Sequence, residues 1–154
     1  MQNRNWIFRP ELTSPLPLPP PPQPASLSSN QESAAETAAY SLPITLTPVT
    51  LFRFSALTFN AHKIHYNREW CRTIEGHRDL VVHGPLNLIL IVDFWRSIYG
   101  KKHAVKKVSY RATNPLYVGE EYKILMEEET DGVSEVRIVD LWGKTGMRAR
   151  IERF

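Results

Sequence analysis

The stretch Gly84–Gly100 reads G-P-L-N-L-I-L-I-V-D-F-W-R-S-I-Y-G and holds the longest nearly apolar run of the chain. Proline is favoured at the first helical position and glycine just past the end, so the pattern predicts a helix over residues 86–99. Lys101 and Lys102 would then sit at its negative end. Leu86, Leu88, Ile89, Leu90, Ile91, Val92, Phe94, Trp95 and Ile98 leave the helix hardly any polar face. Such a helix must be covered on most of its sides. Asn87, Asp93 and Arg96 interrupt the run, which falls short of the ~20 residues that cross a bilayer. No membrane span is expected.

Downstream of this helix the chain reads as β-structure. Ala104–Ala112 alternates, with Val108, Tyr110 and Ala112 on one face. Residues 122–129 place Tyr122, Ile124 and Met126 on one face and charges on the other. Asp131-Gly132 is a strong hairpin signal. Residues 134–142 and 147–153 are strand-like, and Gly143 and Gly146 between them predict a bulge or kink in one long curved strand rather than a second tight hairpin. An antiparallel sheet with one apolar face is the only element long enough to hide the helix. The expected class is α+β: a sheet wrapped around one buried helix, which is the hot-dog arrangement. Open sheet edges and a small core predict a homodimer.

Upstream of the helix, Pro43–Thr47 predicts a short strand, and Thr47 followed by Pro48 predicts the start of a helix through about residue 59. Asn67 is a suitable N-cap for a second helix, with Glu69 at its positive end and Gly76 as its stop. Residues 80–82 are expected to be buried. Residues 1–42 differ in composition. Eight prolines fall between Pro10 and Pro24, and Ser, Ala, Gln and Glu dominate residues 26–39. Neither part can offset its ordering entropy by burial, so residues 1–42 read as a leader or linker and 43–154 as one domain. Met1–Arg9 has two arginines and no acid, which suits a mitochondrial leader; without one, the cytoplasm is expected.

The formal charge of +3 over 154 residues, with basic and acidic side chains interspersed, argues against a nucleic-acid partner. A single cysteine, Cys71, excludes an internal disulfide framework. The densest polar chemistry lies in Phe54–Tyr66, F-S-A-L-T-F-N-A-H-K-I-H-Y, where Asn60 precedes His65 by five residues and His62 by two. His-x-x-His alone is a weak metal signal, and no second pair with ligand spacing exists, so no metal site is expected.

Ser55–Tyr66 resembles the signature loop of the MaoC-like hydratases and dehydratases, in the branch of type 2 hydroxyacyl-thioester dehydratases and mesaconyl-C4-CoA hydratase, which reads T-F-N-x-H-x-I-H-Y. Leu80–Leu86 (L-V-V-H-G-P-L) is similar to that branch's second motif and Asn114–Glu120 (N-P-L-Y-V-G-E) to its third. The broader family has Asp where this chain has Asn60. Many members carry a further hot-dog half upstream, where this chain has its proline-rich tail. Either a shortened form or a single-hot-dog version is expected.

The resemblance implies an (R)-specific 3-hydroxyacyl-thioester dehydratase, or enoyl-thioester hydratase, in fatty acid metabolism. It would need no cofactor beyond the coenzyme A or acyl-carrier phosphopantetheine of the substrate. Asn60 and His65 are the candidate catalytic residues. An unperturbed imidazole titrates near pH ~6.5, so His65 can serve as base and acid in turn, while Asn60 can only hold a hydroxyl or water. His62, Tyr66, His83 and Gly84 are candidate substrate contacts, with the Gly84 N–H at a helix start as oxyanion donor. The alternatives are a hot-dog thioesterase or a non-catalytic partner subunit.

Overall fold

The structure, a computed structural model, describes residues 38–154. Most of the expected leader therefore lies outside the described residues. The elements in order are β1 (Tyr40–Thr45), α1 (Pro48–Leu57), a 3-10 turn (Lys63–His65), α2 (Arg68–Thr73), α3 (Gly84–Tyr99), β2 (Val105–Ala112), β3 (Glu121–Met126), β4 (Val133–Asp140) and β5 (Thr145–Arg153). The strands form one antiparallel sheet in the order β1-β3-β4-β5-β2. With α3 against it, this is the hot-dog fold.

Alternation along the three central strands builds the core. Tyr122, Ile124 and Met126 of β3, Ser134, Val136 and Ile138 of β4, and Met147, Ala149 and Ile151 of β5 are all buried. The register aligns them in rows: Ile124 faces Ile138, which faces Met147, and Met126 faces Val136, which faces Ala149. Leu86, Ile91 and Trp95 of α3 complete this cluster. Two hydrogen bonds fasten the helix to the sheet. Trp95 Nε1 donates to Ser134 Oγ at 2.9 Å, and the Tyr122 hydroxyl donates to Asn87 Oδ1 at 3.0 Å.

Several expectations shift. The first strand starts at Tyr40 rather than Pro43, because Tyr40 pairs with Met126 and packs edge-on against Tyr99. Helix α3 starts with Gly84 as its first residue and His83 as its cap, so Pro85 takes the second position. Only the stripe Asn87, Ile91, Trp95, with Leu86, is sealed, while Ile89 on the outer side is 48% exposed. The apolar side of β2 is similarly open, since Val108 is half-buried and Tyr110 exposed at the sheet edge. Coverage of the helix on most sides is not provided by the described residues. Helix α2 also stops at Thr73, short of Gly76, which instead takes a left-handed φ of 68° in the turn beyond.

The glycine reading near residue 143 is corrected. Strands β4 and β5 are neighbours joined by a tight hairpin, not one bent strand. The sequence signal was Asp140, whose carboxylate accepts the N–H groups of Trp142 and Lys144. Gly143 takes φ 78° and donates its N–H to Asp140 O. This is a type I turn closed by a left-handed residue. The bulge is real but lies at Gly146, where the register shifts and where a Cβ would meet the Leu116 side chain at 2.8 Å. The Asp131-Gly132 hairpin forms as expected, with both residues at positive φ.

Residues 80–82 form a strap between two parts of the molecule. Val82 N donates to Leu116 O, and Val118 N to Leu80 O. Arg78 anchors the strap, forking onto both carboxylate oxygens of Glu120 while its guanidinium stacks 3.8 Å from the Tyr117 ring centre. Charge-assisted forks of this kind are the stronger hydrogen bonds, and this one is partly shielded from solvent. Arg78→Met is expected to cost about 2 kcal/mol, because it strands Glu120 and removes the stacked plane. Arg78→Lys should recover less than half, since an ammonium offers neither fork nor plane. Chemical denaturation followed by circular dichroism checks both, and equal stability of Arg78→Lys and wild type would rule out the fork as the source.

Candidate active site

Helix α1 delivers the chain into the site through a closed C-terminal motif. Phe59 N donates to Ala56 O and Asn60 N to Ser55 O at 2.9 Å, with Phe59 itself at φ 53°. This is the Schellman arrangement with a left-handed residue just past the cap. It fixes where Asn60 begins. The Asn60 Oδ1 atom then accepts the His62 N–H at 3.0 Å. An N–H can be met only by the amide oxygen, so the Asn60 NH2 group is the end left to donate elsewhere. Tyr66, a candidate substrate contact, donates its hydroxyl to Ala61 O at 2.9 Å and braces the same loop.

The 3-10 turn places His65 in the interior. Its Nδ1 lies 2.7 Å from Val81 O, and Val81 N donates back to Ile64 O at 2.9 Å. A carbonyl can only accept, so His65 Nδ1 carries the hydrogen and Nε2 keeps the lone pair. Burial lowers the His65 pKa below its usual value; the Val81 bond raises it in part and His62 lowers it. His65 is therefore a neutral imidazole at pH 7 with the tautomer a base requires. His62 meets it edge-on, with ring centres 5.8 Å apart, while staying mostly in solvent and 3.7 Å from Glu75.

His83 lies on the other side of His65. The two rings stack at 3.6 Å with a 17° tilt, and His83 Nε2 is 2.9 Å from Ser55 Oγ. His83 is 0% exposed, so it has no open surface for a ligand and reaches the site through His65. Burial, then the neighbouring His65, pushes its pKa down to about 4. Its Nδ1 has no partner among the described residues. A buried N–H without an acceptor is rarer than an unmet lone pair. This favours Nε2 as the protonated nitrogen, donating to Ser55.

Gly84 comes next in the chain, at the start of α3, where the first N–H groups have no acceptor within the helix. Pro85 has no N–H, and Asn87 N bonds to His83 O. The fold does not demand glycine at residue 84. A Cβ there would meet only Met147 Cε, at an ordinary 3.9 Å. His65, His83 and Gly84 are thus gathered at the positive end of α3, and Asn60 is tied to the same place through Ser55. Lys101 and Lys102 lie past the other end of this 16-residue helix, about 24 Å away at 1.5 Å per residue. Among the described residues no group of three or more His, Cys, Asp or Glu could hold a metal ion, and no helix is long and apolar enough to cross a membrane.

The family model for hydroxyacyl-thioester dehydratase type 2 matches residues 2–118. The chain belongs to this family. Among curated relatives of this dehydratase family, the mesaconyl-C(4)-CoA hydratase of Chloroflexus aurantiacus is 38% identical over 106 residues, covering 68% of this chain and 36% of that protein. The mitochondrial hydroxyacyl-thioester dehydratase type 2 of Schizosaccharomyces pombe is 34% identical over 90 residues, covering 58% of this chain and 30% of that protein. The chain thus spans about a third of the length of these relatives. Among solved structures, the R-hydratase PhaJ1 of Pseudomonas aeruginosa superposes with a TM-score of 0.66 at 18% identity, covering 74% of this chain and 77% of that one. That likeness concerns the fold.

The sequence reading of this type 2 dehydratase family member missed Ser55 and the Val81 carbonyl. Ser55 did leave a signal. It lies four residues after Leu51, and these two are the buried residues of α1. A hydroxyl on an otherwise apolar stripe needs a partner. The Val81 carbonyl left none, because a backbone acceptor carries no side-chain signature.

Proposed function

We propose that the chain catalyses the reversible, (R)-specific dehydration of 3-hydroxyacyl thioesters to 2-enoyl thioesters, as a hydro-lyase. The observation that carries this reading is His65, held neutral by burial with Nδ1 committed to Val81 O, beside the free N–H groups that open α3. In dehydration, His65 Nε2 takes the α-proton as the C–H bond breaks. The electron pair moves towards the thioester oxygen, where the Gly84 N–H and the positive helix end meet the growing charge. The C=C bond then forms as the C3–O bond breaks. The imidazolium returns the same proton to the departing hydroxyl, which leaves as water. Hydration is the reverse. The Asn60 NH2 group holds the hydroxyl or water by donation and takes no proton.

The substrate class, a thioester of coenzyme A or of an acyl carrier, is supported by family membership and by the names of the relatives. Mitochondrial placement is supported by the yeast relatives named as mitochondrial. A homodimer is supported by the uncovered outer side of α3 and by the open edges β1 and β2. Hydration of crotonyl-CoA, followed by loss of the enoyl absorbance, tests the activity. A folded protein that instead releases free thiol would be a thioesterase, and one that does neither would be a partner subunit.

Asn60→Asp tests the donor role. The carboxylate can still accept the His62 N–H, so the fold is expected to persist. The NH2 donor is lost and a titrating group gained, so the pH–rate profile should gain a new limb and kcat should fall by about tenfold or more. An unchanged profile would place Asn60 outside the site.

A further inference from the structure

Ser55 touches both arms of the site. Its backbone carbonyl accepts the Asn60 N–H at 2.9 Å. Its hydroxyl meets His83 Nε2 at 2.9 Å, and His83 lies flat against His65 at 3.6 Å. His83 also caps α3 immediately before Gly84. We propose that Ser55 and His83 are a positioning pair, which fixes the plane of the His65 ring relative to Asn60 and to the amino end of α3.

The pair has the features such a role needs. Ser55 is 6% exposed and His83 wholly buried, so neither competes for substrate. Phe54 packs edge-on against the His83 ring, with ring centres 4.8 Å apart. The rings have few electrostatic neighbours: His65 acts on His83, and His62 acts on His65. His62 carries Glu75 at 3.7 Å, and burial keeps the nearby Cys71 thiol protonated. Between two stacked rings at 3.6 Å, a second positive charge is strongly disfavoured. A neutral His83 leaves His65 free to take the one proton that elimination transfers. Loss of the Ser55 hydroxyl would let the His83 ring turn and tilt the base.

The proposal rests on His65 being the base, and its test separates the two ideas. In the full-length chain with 15N-labelled histidine, the wild type should show His83 protonated at Nε2 and His65 at Nδ1 near pH 7. Ser55→Ala should mix the His83 tautomers, shift the His65 nitrogens and lower kcat by about 10- to 100-fold, with KM within about twofold. His83→Phe keeps a ring against His65 but loses the bond to Ser55, and should fall between wild type and His83→Gln, which loses the ring. A folded Ser55→Ala protein with unchanged kcat, pH profile and His65 nitrogens would overturn the proposal, leaving Ser55 as packing. So would a wild-type His83 protonated at Nδ1, a result that needs no variant to fold. If the wild type proves inactive, the base reading falls, and the nitrogen shifts in Ser55→Ala still decide whether this pair holds the ring.

Discussion

Replacing His65 with Ala is expected to lower kcat/KM for enoyl-thioester hydration by about 10³-fold, within the usual range for loss of a positioned proton carrier. The loss should fall on kcat, because the thioester would still find Gly84 and Asn60. The pH dependence of the wild type is the sharper check. Burial lowers the His65 pKa below 6.5, with the Val81 bond opposing and His62 adding to the effect. A base must be unprotonated, so kcat/KM for the α-proton step should rise with pH through a midpoint below 6.5 and be flat across neutrality. A midpoint above 6.5 in the wild type, or an Ala variant retaining a tenth of the activity, would remove His65 from the mechanism. The same burial gives stability its sign. As pH falls below 6.5 the unfolded chain takes up protons at His65, His77 and His83, while the folded chain resists them. Stability is therefore complete above pH 6.5 and declines as pH drops through the lowered folded values, about 4 for His83.

The fold was largely legible because its signals are local. Thr47-Pro48 and Asn67 are caps whose side chains do bond the expected N–H groups, from Thr50 and Trp70. The period-2 rows of β3 point inward as written. The β4–β5 hairpin was misread because two glycines were weighed and Asp140 was not, although the aspartate holds the turn. Coverage of α3 was misjudged for a different reason. Composition shows that a face is apolar, but not whether this chain or another surface hides it. In the site, the loop carrying Asn60 and His65 was visible, and so was Gly84 opposite it. What was not visible is how they are joined. The ties run through the Val81 carbonyl, a backbone atom without a sequence signature, and through Ser55, which is 28 residues from the ring it holds.

Trp95→Ala is expected to give the largest loss of stability, about 4 kcal/mol, as for other deletions of a large buried ring. Trp95 is 1% exposed and closes the sealed stripe of α3. Two terms contribute, and they can be separated. Removing the ring opens a cavity against the sheet, and removing Nε1–H leaves Ser134 Oγ, 0% exposed, without its 2.9 Å donor. Trp95→Phe keeps much of the volume but loses the donor, so it should cost about 1–3 kcal/mol. Adding Ser134→Ala to Trp95→Phe should recover part of that, because the orphaned hydroxyl goes too. Urea unfolding with a constant m-value measures all three. If Ser134→Ala makes Trp95→Phe worse, the hydroxyl has another partner and the helix is held to β4 by packing alone. If Trp95→Phe is as damaging as Trp95→Ala, the hydrogen bond outweighs the cavity. A domain with a total stability of about 5–15 kcal/mol has little margin for either loss. Helix α3 also carries Gly84 at its amino end, so loosening at Trp95 would reach the proposed site by tilting the helix whose first N–H groups are proposed to meet the thioester.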